Sequence, residues 1–242
     1  MRLLAVTVFL FFLAEEAVVM AQAPAKQVIT GNQHWLGYIG TGKLNNKWSA
    51  QLLVNYWSRK WLQNPVQVLV VPALHYTTKQ EVVLGAGMAY ARLYNSEGSA
   101  IRNEYRPHQE VNFKQALSKI GLSHRLQLEE RFFELINPPE GTDTHAFLWR
   151  GRYRSNLTIP IKFSETGNTN LSLLLSNEVF LHFGKQAINV FDQNRIIAGP
   201  GWQLNPNLNV ALRYMHFYIA RPTPGIYGQE HVIRLDLKQQ LF

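Results

Sequence analysis

Charged side chains recur at alternate positions in this chain, as Arg125, Glu129 and Arg131 within HRLQLEERF and as Arg150, Arg152 and Arg154 within RGRYR. Glu110, Glu178, Arg213, Arg234 and Asp236 stand in similar alternating runs. Guanidinium and carboxylate groups at such spacing have three uses. They can lock one another in bidentate pairs, line a path that favours small anions, or form a ligand or catalytic site. The residue types leave all three open.

A nucleophile is harder to find. Ser123 and His124 are adjacent, so on a strand they point to opposite sides and cannot pair. Ser176 and His182 share a face but lie about 20 Å apart at strand rise, so neither makes the serine–histidine dyad that acyl chemistry needs. The chain has no cysteine, and its eight histidines show no metal-ligand spacing. GTGK at 40–43 lacks the spacing of a phosphate loop. The expectation is no catalytic residue, no metal and no cofactor, with a phospholipase-like outer-membrane hydrolase as the enzymatic alternative.

The elements that carry these charges read as strands. In HRLQLEERF, Arg125, Gln127, Glu129 and Arg131 form one row and Leu126, Leu128, Glu130 and Phe132 the other, the two-residue period of a strand with unlike faces. The same dyad returns in WSAQLLVNYW, LSLLLSNEVFLHF, LNVALRYMHFY and HVIRLDLKQQLF. Connections alternate between short (44–47, 77–80, 118–121, 164–170, 205–207) and long (58–65, 95–107, 137–144, 184–195, 221–228), the meander of an outer-membrane barrel. Trp35, Trp48, Trp57, Trp61, Trp149 and Trp202, with several tyrosines, fall near strand ends, where aromatic girdles meet membrane interfaces. Eleven strands are countable. An even number is expected with both ends on one side, so the prediction is an all-β, up-and-down antiparallel transmembrane barrel of about 12 strands (10 to 12), the twelfth coming from division of the 27–44 region. Phe242 lies out of phase with the apolar row, and a bulge near Gln239 and Gln240 would bring it into line.

Residues 1–21 have the layout of a signal peptide, with Arg2, the apolar run Leu3–Ala14, and Val19 and Ala21 before a cut ahead of Gln22. Their removal takes away Arg2, Glu15 and Glu16 and moves the formal charge from +8 to +9. An exported basic chain points away from nucleic acid. Outer-membrane lipid, lipopolysaccharide and small anionic solutes are the expected partners, with the barrel-assembly machinery during biogenesis. No later run is apolar enough for a membrane helix, so a membrane reading requires a closed barrel of residues 22–242.

HWLGYIGTGKLNNKWS, EYRPHQE, HRLQLEERF, RYRSNLTIPI and NEVFLHFGKQAINVFDQNR together resemble the bacterial family grouped as domain of unknown function twenty-four-ninety, over Gln33 to Phe242. The resemblance implies an outer-membrane β-barrel of a Gram-negative bacterium and supplies no activity. Tyr105 stands where the family commonly has a histidine, which speaks against a metal or proton relay there. The expected function is therefore a porin-like narrow pore lined by arginine, or a plugged structural barrel. The candidate lumen charge network is Glu110, Arg125, Glu129, Arg131, Arg150, Arg152, Arg154, Glu178, Arg213, Arg234 and Asp236. A soluble periplasmic barrel that binds a ligand is the other alternative, and it requires the leucine rows to face inward.

Overall fold

Residues 26–117, 120–161 and 171–242 are described by the computed structural model; the expected signal peptide and the 164–170 turn lie outside them. The strands are β1 (Gln27–Lys43), β2 (Trp48–Lys60), β3 (Gln63–Thr77), β4 (Val83–Tyr94), β5 (Ala100–Leu117), β6 (Ile120–Leu135), β7 (His145–Ile161), β8 (Leu171–Phe183), β9 (Phe191–Asn205), β10 (Leu208–Ala220) and β11 (Ile226–Gln240). Each pairs antiparallel with its neighbours in sequence, and β1 pairs parallel with β11 to close the barrel.

The barrel has eleven strands where about twelve were expected. The 27–44 region is not divided: β1 runs unbroken through it, in register with β11 from Gln27↔Ile226 to Thr41↔Gln240. An odd count has a geometric consequence. The two ends of the barrel chain lie at opposite rims, Gln27 beside the β10–β11 connection and Phe242 beside the end of β1. The rim that carries Phe242 and the connections 44–47, 78–82 and 206–207 is called the C-terminal rim below. Its opposite, with Gln27 and the connections 95–99, 136–144 and 184–190, is the N-terminal rim.

Several expected long loops contract because the strands continue into them. Only Trp61 and Leu62 separate β2 from β3, with Leu62 in the left-handed region at φ 57°. β5 begins at Ala100 and β9 at Phe191, so much of 95–107 and of 184–195 is wall.

The two rows of each strand separate as the alternation requires. Leu126 and Leu128 are 50% and 41% exposed on the outer wall, whereas Gln127 between them is 8% exposed inside. Leu74, Leu84, Ile196, Leu212 and Leu235 are likewise exposed. The leucine rows thus face outward, opposite to the arrangement that the soluble alternative needs. Outer aromatics gather toward both rims, as in Trp48 against Tyr76 (5.1 Å between ring centroids) and Phe132 against Phe147 (4.9 Å).

Two aromatic expectations are corrected. Trp35 and Trp57 are not girdle residues; both are buried inside the barrel, stacked at 3.8 Å with planes 2° apart. Trp57 is out of phase with the outer row from Trp48 to Tyr56 on the same strand, a signal that proximity to strand ends obscures, and pairing register sets Trp35 directly opposite it. At the other end, β11 has no bulge at Gln239 and Gln240. The strand instead ends at Gln240. Lys43 donates its backbone N–H to the Phe242 carbonyl at 2.7 Å, and the Phe242 ring lies over Gly42, whose missing side chain leaves it room. Phe242 is 69% exposed there.

Candidate functional site

Pairing register brings the inward charges together. Arg125, Arg154, Glu178 and Arg195 lie directly opposite one another across β6, β7, β8 and β9, and Glu129, Arg150 and His182 do so two inward positions further along, beyond the row of Gln127, Arg152 and Phe180. Directly opposed side chains on one face are near enough to interact, and like charges there repel unless a counter-charge joins them. Glu178 is that counter-charge: it accepts from Arg125 and Arg152 at 2.7 Å each and from Arg154 at 3.1 Å. Glu129 accepts from Arg152 at 2.5 Å and from Arg150. Arg150 reaches on to Asp192 at 3.1 Å, and Arg125 lies 3.6 Å from Glu110, whose other oxygen meets His75 at 2.9 Å.

The network continues toward the N-terminal rim. Arg131 donates to Glu104 at 3.1 Å and touches His182 at 2.9 Å, while Arg106 and Arg102 also pair with Glu104. Of the residues expected from sequence, Glu110, Arg125, Glu129, Arg131, Arg150, Arg152, Arg154 and Glu178 thus form one connected set. Arg213, Arg234 and Asp236 form a second on β10 and β11, with Asp236 bound by Arg234 at 2.7 Å and by Arg213 at 3.2 Å. Gly37 makes that cluster possible, because a side chain there would collide with Asp236 and Asn55.

Sequence reading misses Glu104, Arg106, Asp192 and Arg195. Glu104 and Arg106 are in phase with Glu110, so the same two-residue count finds them once 95–107 is taken as strand and not as loop. Asp192 and Arg195 are hidden in the same way by the 184–195 loop. Arg195 is the most distinctive of the four. Its guanidinium lies among four rings, 4.7 Å from the centroid of Phe180, 4.9 Å from Phe217, 5.2 Å from Trp35 and 5.5 Å from Trp57, and donates to Gln193 Oε1 at 3.0 Å. Aromatic faces attract such a cation where water is excluded.

These groups crowd the lumen. Every strand contributes at least one inward side chain that is buried, among them Trp35 (1% exposed), Gln67, Glu104, Arg150, Phe180 and Met215. Toward the C-terminal rim the interior opens into a cavity of about 900 Å³ whose wall reaches Thr41, Ser49, Thr77 and the exposed turn residue Glu81. Trp35, Trp57 and Phe180 form its inner end. The barrel interior is therefore a section packed with inward side chains followed by a cup.

Other candidate chemistry does not assemble. Ser123 accepts from Asn156 at 3.2 Å, while His124 turns away to meet the Tyr153 hydroxyl at 2.8 Å. His182 is engaged by Arg131 and Asp192, and Ser176 Oγ has no hydrogen-bond partner among the described residues. Tyr105 lies on the outer wall against Tyr90. Gly40–Lys43 is the last stretch of β1, not a phosphate loop. Among the described residues no three His, Asp or Glu side chains gather in a way that would hold a metal ion.

Fold and interior together define an all-β closed barrel of eleven strands that is filled by its own wall side chains over part of its length. The chain belongs to the family described as Protein of unknown function (DUF2490), which matches residues 32–227. No curated protein matches the chain. Among solved structures it is similar to the crystal structure of the beta domain of the Bordetella autotransporter Brka, at 12% identity over 72% of this chain and 77% of that one, with a TM-score of 0.42.

Proposed function

We propose that the protein is an integral outer-membrane barrel that stands with its C-terminal rim in the periplasm and does not conduct as an open pore. The observation that carries this reading is the inverted distribution of side chains, with leucine rows exposed around the outside and charged rows buried within. Contiguous apolar surface on that scale is rare on a soluble monomer and is what lipid requires. Residues 1–21 serve as the export signal in this reading. Lipid and lipopolysaccharide cover the outer wall, and the exposed Phe242 ring is presented to the barrel-assembly machinery.

Fractionation tests the location. The protein is expected with the outer membrane and to run as a heat-modifiable band on detergent gels; recovery in the soluble periplasmic extract would overturn the reading. Planar bilayers test the lumen. The packed section predicts no conductance steps above background, whereas stable, anion-preferring steps would restore the arginine-lined pore.

Orientation has its own test, because eleven strands place the chain ends on opposite sides. An epitope tag inserted before Gln27 should be reached by antibody on intact cells, and one in the Leu44–Lys47 turn only after permeabilisation. The opposite pattern would mean that the barrel is inserted the other way up.

A further inference from the structure

The cup has two unlike walls. Its lining includes ten lysine and arginine side chains, all from β5, β6, β7, β9, β10 and β11. The contiguous arc from β1 to β4 contributes none; there the cavity meets Ile39, Leu53, Leu69, Val71 and Ala73, interspersed with small polar groups. Only four carboxylates line the cavity; Glu81 stands exposed on the turn at its mouth, and Glu110, Glu129 and Glu178 are each shared between two or more cationic side chains or a histidine. Three arginines divide Glu178, and Arg213 and Arg234 divide Asp236 beside it. Lys238 faces the cavity with no carboxylate in ion-pair contact among the described residues. The cationic wall therefore has donors to spare, and the apolar wall has surface that gains by being covered.

We infer that the cup binds a single-chain amphiphile with an anionic head, a fatty acid or an alkyl phosphate in chemical class. The head would meet Arg154, Arg213 and Lys238, and the chain would lie along Ile39, Leu53, Leu69 and Val71. A cavity of about 900 Å³ falls within the size of ordinary ligand sites, about 300 to 1,000 Å³. A compact inorganic anion would meet the cationic wall alone and leave the apolar wall uncovered, whereas an amphiphile covers both. The inference rests on the reading of the lumen as closed, since the packed section gives the cup its inner end.

The test uses the full barrel in zwitterionic nanodiscs, titrated calorimetrically with dodecanoate and with dodecyl phosphate against empty discs. Saturable binding of one molecule per barrel is expected for both, with a change in tryptophan emission because Trp35 and Trp57 line the cavity. Dodecyltrimethylammonium and inorganic phosphate should bind far more weakly. Lys238→Gln combined with Arg213→Gln should weaken binding by about tenfold or more, as loss of charge-assisted hydrogen bonds does. Val71→Asn should weaken the alkyl ligands while the barrel remains heat-modifiable. A folded, heat-modifiable barrel that binds nothing above empty discs would overturn the ligand and leave the membrane reading standing. Inorganic phosphate binding as tightly as dodecyl phosphate would overturn the amphiphile. Should the protein prove soluble, the membrane reading falls, and the same titration in buffer still decides the ligand.

Discussion

Glu178→Gln is expected to destabilise the barrel by about 3 to 5 kcal/mol, the usual cost of removing one partner from a buried ion pair. Glu178 is 1% exposed and receives Arg125, Arg152 and Arg154, so the neutral amide leaves three guanidinium groups without their counter-charge. Glu129→Gln should act in the same direction by releasing Arg150 and part of Arg152. The measurement is the temperature at which the compact band on a detergent gel is lost. In a water-filled lumen the stranded cations would be hydrated, and the same substitutions would cost little. An unchanged midpoint for both variants would therefore contradict the proposed closed lumen. A second substitution separates charge imbalance from general damage. Arg154 is the most exposed of the three partners, so Arg154→Gln alone should cost little, and in the Glu178→Gln chain it should recover part of the loss as coupled sites do.

Leu128→Arg and Gln127→Arg, one residue apart, should behave oppositely. Leu128 stands on the outer wall between Gly151 and Gln109, where an arginine would enter lipid at about 2 to 4 kcal/mol near the midplane. Gln127 lines the cup next to Glu129, between Glu110 on β5 and Arg152 on β7, so an arginine there meets two carboxylates against one like charge and stays out of lipid. Membrane insertion, read as the yield of heat-modifiable protein, should fall sharply for Leu128→Arg and hardly for Gln127→Arg. Equal tolerance at the two positions would mean that the faces are assigned wrongly, and with them the outward leucine rows.

The two faces of HRLQLEERF are legible in the amino-acid order alone because side-chain alternation is a local property of a strand. Nothing local says whether the apolar face meets lipid or a core, and the closed wall with Leu126 and Leu128 outside settles which side is interior. The charges can be counted along the chain, but their partnerships cannot. Glu178 holds Arg125 and Arg154 because β6, β7 and β8 pair in one register, with Arg125 and Glu178 separated by 53 residues along the chain. Strand ends are obscured for a related reason. NEYRPHQE has the composition of a loop, with a proline and five charged or amide residues, and only pairing with β4 and β6 holds it as wall. The sequence by itself determined the period, the signs of the charge and the meander, since each depends on residues near in the chain. The undivided β1 with its parallel seam to β11, the Arg195 aromatic enclosure and the two-walled cup were decided only by tertiary structure, because barrel closure sets which distant strands share an interior and how much of it their side chains fill.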